Sequence, residues 1–195
     1  MVLGLTGGIA TGKSTVSKMM EEKYNVKVID VDEVGKKVMS QKSILKKLSE
    51  SFEENIIKNG ELDRKKMREI VFNNNQKRAE LNKITHTAIL EETDRIIEEY
   101  KKVGNEIIIV DMPLLFEVGY DKKVDKVILV YCKKDIEIKR LMNRDEILKE
   151  DALKMINSQM DLEEKQKRAD IVIKNNTNLE DLENEIKKVI DRIKA

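Results

Sequence analysis

A chain of 195 residues has room for one domain with inserted subdomains and can bury a real core. Its 38 Lys and Arg nearly cancel its 37 Asp and Glu, leaving a net charge of +1 and no reason to expect nucleic acid or a membrane surface as partner. Aromatics make up 4% with no Trp, so stacking platforms for single-stranded nucleic acid are scarce, and the single cysteine excludes an internal disulfide. No apolar stretch approaches the roughly 18 residues of a membrane span, and the first residues read as a strand rather than a leader. The expectation is therefore a cytoplasmic protein with a small-molecule partner, present as a monomer or weak homo-oligomer.

Val2 to Leu5 is a short apolar run that reads as a buried strand. It leads into Gly7-Gly-Ile-Ala-Thr-Gly-Lys-Ser14, which fits G-x-x-x-x-G-K-[ST], the phosphate-binding P-loop. Glycines there let successive backbone N–H groups converge on a nucleotide's phosphates. Lys13 supplies a cation to those phosphates, and the Ser14 hydroxyl is placed for Mg²⁺. Ser14 to Lys23 carries Val16, Met19 and Met20 at helical spacing, so the loop opens a helix whose N-terminal dipole favours anions. This context predicts a nucleoside triphosphate site over Gly8, Ile9, Ala10, Thr11, Gly12, Lys13, Ser14 and Thr15.

Val26 to Ile29 reads as the second strand and ends in Asp30-Val-Asp32. Ligands gather at the carboxyl ends of parallel strands, so either aspartate suits deprotonation of an attacking hydroxyl or the holding of Mg²⁺. The alternative is that Asp32 is an N-cap for a helix over Glu33 to Met39. Roughly 75 residues then precede the third strand, where a crossover needs only about a dozen. The interval holds three helical patterns, around Ile44 to Leu48, Met67 to Val71 and Leu81 to Ile97, the last containing His86, the only histidine. A lone histidine without metal-ligand company is most simply structural.

The third strand, Ile107 to Val110, ends in Asp111, a Walker-B-like carboxylate for the metal or else a cap. The only proline follows in Met112-Pro-Leu-Leu-Phe-Glu117 and fixes the turn out of that strand. Lys126 to Tyr131 is the fourth strand, and Cys132 after it is a packed strand-end residue. Asp135 to about Ala169 predicts two charged helices, with Arg140 and Arg144 on one helix face. Two guanidiniums so placed can clamp a transferring phosphoryl group as a lid, or lie on a solvated surface. Ile171 to Lys174 is the fifth strand, and Leu179, Leu182, Ile186, Val189, Ile190 and Ile193 form the stripe of a last helix capped by Asn178. Five buried strands alternating with helices predict an α/β/α three-layer fold around a five-stranded parallel sheet.

The ordered marks together resemble the dephospho-CoA kinase family. They are Gly4-Leu-Thr-Gly-Gly-Ile9 with Gly12-Lys-Ser-Thr15, Val28-Ile-Asp-Val-Asp32, Leu62-Asp-Arg64, Val71-Phe72 and His86. Asp111-Met-Pro-Leu-Leu-Phe-Glu117, Arg140-Leu-Met-Asn-Arg-Asp145, Ser158-Gln159, Ala169-Asp170 and Asn175 complete the set. The resemblance covers nearly the whole chain and implies a nucleoside-monophosphate-kinase-like P-loop fold. Its expected parts are a core (1–32, 104–134 and 170–195), a helical acceptor-binding insertion (33–103) and a lid (135–169). It implies transfer of the ATP γ-phosphate to the ribose 3′-hydroxyl of dephospho-CoA, with Mg²⁺ held by Ser14 and Asp111. Asp32 is then the base, Lys13, Arg140 and Arg144 stabilise charge, and Asn175 joins the nucleotide site. Arg64, His86, Leu115 and Glu117 fall near the acceptor.

Another small-molecule P-loop kinase, for a nucleoside monophosphate or a sugar acid, would share loop and lid. A GTPase switch would need N-K-x-D, but the only Asn-Lys pair, Asn82-Lys83, continues Ile-Thr.

Overall fold

The computed structural model describes residues 1–52, 55–72 and 74–194. In chain order the strands are β1 (Val2–Gly7), β2 (Lys27–Asp30), β3 (Ile57–Lys58), β4 (Glu61–Leu62), β5 (Ile108–Asp111), β6 (Lys126–Tyr131) and β7 (Ile171–Lys174). The helices are α1 (Lys13–Tyr24), α2 (Val31–Val38), α3 (Lys42–Phe52), α4 (Arg64–Phe72), α5 (Asn75–Lys102), α6 (Lys134–Asp145), α7 (Lys149–Ile156), α8 (Leu162–Arg168) and α9 (Leu179–Lys194). The chain divides into two compact units, Met1–Ile29 with Tyr100–Ala195, and Asp30–Glu99.

The first unit is built on a five-stranded sheet in the order β2-β5-β1-β6-β7. β1 lies at its centre, parallel to β5 and to β6, and β6 is parallel to β7. All six residues of β1 are buried, which is why its sequence is a continuous run rather than an alternation. One side of the core packs Val16 and Met20 of α1 and Leu182, Ile186 and Ile190 of α9 against Leu3, Leu5, Ile128 and Val130 of the sheet. Asn178 caps α9, its Oδ1 accepting from the Asp181 amide at 2.9 Å. The apolar stripe of α9 begins at Leu182, because Leu179 is exposed.

Two features differ from the sequence expectation. The segment expected as two helices is three, α6, α7 and α8. Glu146 adopts a left-handed conformation (φ 54°) that ends α6, and the Asp161 carboxylate caps α8 by accepting from the Glu163 amide at 2.8 Å. In the second unit β3 and β4 form an antiparallel hairpin whose two-residue turn, Asn59-Gly60, has positive φ at both positions (54° and 82°). That is the backbone a tight hairpin requires. The long pattern around His86 is one unbroken 28-residue helix, α5, running through Thr87. Among the described residues no helix is long and apolar enough to cross a membrane.

The N-cap of α2 is Asp30, not Asp32. The Asp30 Oδ1 accepts from the amides of Asp32 (2.9 Å) and Glu33 (3.1 Å). Asp30→Ala should lower unfolding stability by about 1 kcal/mol, measured by urea titration, and an unchanged midpoint would deny the cap.

Candidate active site

β1 delivers the chain into the P-loop, and the loop is held from behind through its carbonyls. The buried Thr11 hydroxyl donates to the Gly8 carbonyl at 3.0 Å. Asn175, just past β7, donates from Nδ2 to the Thr11 carbonyl at 2.8 Å. Gly12 caps α1 in a left-handed conformation (φ 91°) with no side-chain cap, so no side chain competes with an anion at the helix start, where the Thr15 amide donates to the Gly12 carbonyl at 3.0 Å. Two glycines are required by crowding as well. A Cβ at Gly12 would collide with the Asn175 amide, and one at Gly8 with Leu162 and the Glu137 carboxylate.

Lys13, on the first turn of α1, is ion-paired through Nζ with Oδ1 of the buried Asp111 at the end of β5. The parallel register that sets Leu5 opposite Asp111 places this carboxylate beside β1. Ser14 is exposed on the same turn. Arg140 and Arg144 share a face of α6 but not a partner. Arg140 donates to the Asn175 carbonyl at 3.0 Å, whereas the exposed Arg144 pairs with neighbouring Asp145 at 2.7 Å. Burial pushes the Cys132 thiol up to about 11, as suits a packed residue rather than a nucleophile.

Two residues expected near the acceptor have other engagements. Leu115 is fully buried, against Gly4 of β1, so its side chain is core. The Glu117 carboxylate is paired with Lys165 at 3.0 Å and accepts from the Met160 amide at 3.1 Å.

In the second unit Asp32, Gly35, Lys36 and Met39 follow helical spacing along one face of α2. The last three line a cavity of about 450 Å³ with Ser40, Leu62 and Arg64. Asp63 opens α4 by accepting from the Lys66 amide at 3.0 Å, which sets Arg64 at the helix start. His86 is exposed on α5, one turn before Ile89, the residue that Gly35 of α2 approaches.

Comparisons with known proteins complete this picture. The dephospho-CoA kinase family model matches residues 1–181. A dephospho-CoA kinase from Fusobacterium nucleatum is 43% identical over 194 residues, covering 99% of this chain and 98% of that protein. The solved structure of dephospho-CoA kinase from Campylobacter jejuni superimposes with a TM-score of 0.76 at 34% identity, covering 98% of this chain and 96% of that one. The chain belongs to the dephospho-CoA kinase family. A shikimate kinase from Bacteroides thetaiotaomicron, at 14% identity and TM-score 0.57, shares the P-loop kinase fold alone.

Sequence reasoning missed two polar residues of the first unit. Lys165 is fully buried although it lies in the charged run Leu162-Glu-Glu-Lys-Gln-Lys-Arg168. Glu137 is buried beside Gly8 and lines a cavity of about 340 Å³ with Cys132, Gln159 and Leu162. Neither has a motif to announce it. Burial, helped by Asp161 and opposed by Lys134 and Lys165, raises the Glu137 carboxyl from 4.5 to about 7.

Between those two values the folded protein holds more protons than the unfolded chain, so ionising Glu137 costs stability as pH rises through that window. Glu137→Gln should therefore have a higher Tm than the wild type at pH 8, with the gap closing toward pH 4.5. A pH-independent gap would contradict this assignment.

Proposed function

We propose that the P-loop and the residues tied to it carry out, in this chain, the reaction of its family: ATP-dependent phosphorylation of dephospho-CoA at the ribose 3′-hydroxyl. The observation that carries the reading is the uncapped N-terminus of α1 beside a lysine paired with a buried strand-end carboxylate. ATP phosphates suit the amides of residues 8–15 and can draw the Lys13 ammonium away from Asp111. Ser14 and Asp111 offer hard oxygen donors that fit Mg²⁺, which when bound neutralises charge on the β- and γ-phosphates.

Lys13 stabilises the negative charge that develops as the bond from the γ-phosphorus to the leaving ADP oxygen breaks. Arg140, through Asn175, holds the Thr11 end of the loop in place. Arg144, at the exposed end of α6, is the lid cation available to the phosphates. In the second unit we assign the acceptor to the cavity edged by Arg64 and by the α2 face that Asp32 shares, and we assign His86 of α5 to acceptor binding as well. The Asp32 carboxylate takes the 3′-hydroxyl proton as the new oxygen–phosphorus bond forms. Asp32 shares the α2 face of Gly35, Lys36 and Met39, which line that cavity, and this favours it over the capping Asp30 for the role. The division into core (1–32, 104–134, 170–195), acceptor-binding insertion (33–103) and lid (135–169) follows from the same reading.

Asp32→Asn keeps the shape and removes the base. Its kcat should fall by about 10²- to 10⁴-fold, with ATP affinity and Tm little changed. A near-normal kcat would take the base role away from Asp32.

A further inference from the structure

Lys165 is the one lysine among the described residues with no exposed surface. Its ammonium reaches the Pro113 carbonyl at 2.8 Å, the Gly7 carbonyl at 3.4 Å and the Glu117 carboxylate at 3.0 Å. Gly7 is the last residue of β1 and Pro113 lies two residues after Asp111, so one cation grips both chain segments that lead into the phosphate site. The Thr6 hydroxyl donates to the same Pro113 carbonyl at 3.0 Å, tightening the junction. α8, which carries Lys165, is fixed again at its far end. There Arg168 pairs with Asp121 at 3.1 Å and stacks 4.4 Å from the Phe116 ring.

We propose that Lys165 is a positioning residue for phosphoryl transfer. It orients the Gly7–Gly8 peptide and the Pro113 turn, and thereby aims the first P-loop amide and the Asp111 carboxylate at the phosphates. The mechanism is peptide planarity. In a trans peptide the carbonyl and the next N–H point in opposite directions, so pinning the Gly7 carbonyl toward Lys165 turns the Gly8 N–H away from it. Releasing that carbonyl lets the peptide rotate, and a displacement on the order of 1 Å near reacting atoms costs about 10²-fold in rate. The alternative is that Lys165 serves only to neutralise Glu117.

The inference rests on the P-loop as the phosphate site, which wild-type turnover of dephospho-CoA with ATP tests by itself. Lys165→Met alone also leaves the partly exposed Glu117 carboxylate without its cation, so Glu117→Gln is added to remove that uncompensated charge. The deciding variant is therefore Lys165→Met with Glu117→Gln, compared in Tm, kcat, KM and the ³¹P spectrum of bound ADP. Positioning predicts a Tm near that of the wild type, a kcat still about 10²-fold low and a displaced β-phosphate resonance. Recovery of wild-type kcat with an unshifted β-phosphate resonance would overturn the proposal and leave Lys165 as a counter-ion. The single variant supplies a second reading on whatever folded fraction binds ADP: a shifted resonance supports positioning, and the wild-type resonance opposes it.

Discussion

A loop that binds phosphate through its backbone must hold its peptide planes in one orientation before the phosphate arrives, and it has no side chains in front with which to do so. Three side chains hold residues 7–11 by their carbonyls. Lys165 takes the Gly7 carbonyl, the Thr11 hydroxyl takes that of Gly8, and Asn175 takes that of Thr11. The rest of the unit is arranged so that these donors arrive. β7 ends where Asn175 can reach across, and α8 is anchored at both ends so that Lys165 is fully buried. Gly8 and Gly12 lack the Cβ atoms that would push Glu137 and Asn175 away. Buried polar groups this close are costly unless paired, and pairing them to the loop turns that cost into order at the site.

The same arrangement explains how charge is handled. Lys13 and Asp111 neutralise one another in a largely water-excluded setting, so neither is left as a buried, unpaired ion. A polyphosphate with its metal ion would replace each partner by one of the same sign. The exchange conserves charge pairing, which is why a strand-end carboxylate and a P-loop lysine can share one place. Glu137 is the exception in this unit. It is a carboxyl beside the loop whose burial raises its pKa to about 7, so near neutral pH a share of it is uncharged.

Much of this was legible in the residues. The five strands were readable because a parallel sheet covered on both faces leaves continuous β-branched runs, and the P-loop because its glycines and Lys13 answer to a fixed geometry. The Asn59-Gly60 hairpin was not, although Asn-Gly is a strong turn signal, because strands of two residues carry no periodicity. Only one of the two breaks between α6 and α8 was expected; the one after α6 carries no glycine signal, because it uses Glu146 in a left-handed conformation. Asp30 and Asp32 are equivalent by spacing, and only the hydrogen bonds separate the cap from the candidate base. Lys165 could not be found from composition at all. In a run of charges a buried lysine looks like its solvated neighbours, and what sets it apart is the pair of carbonyls and the carboxylate that the fold brings to it.

A loop held by its carbonyls in this way should be set before the nucleotide binds. Amide hydrogen exchange of peptides covering residues 7–15, in the free protein and with ADP, measures this directly. Exchange should be slow in the free protein, with ADP adding protection mainly at the first turn of α1. Fast exchange across the whole loop in the free protein, slowing only once ADP is bound, would contradict it.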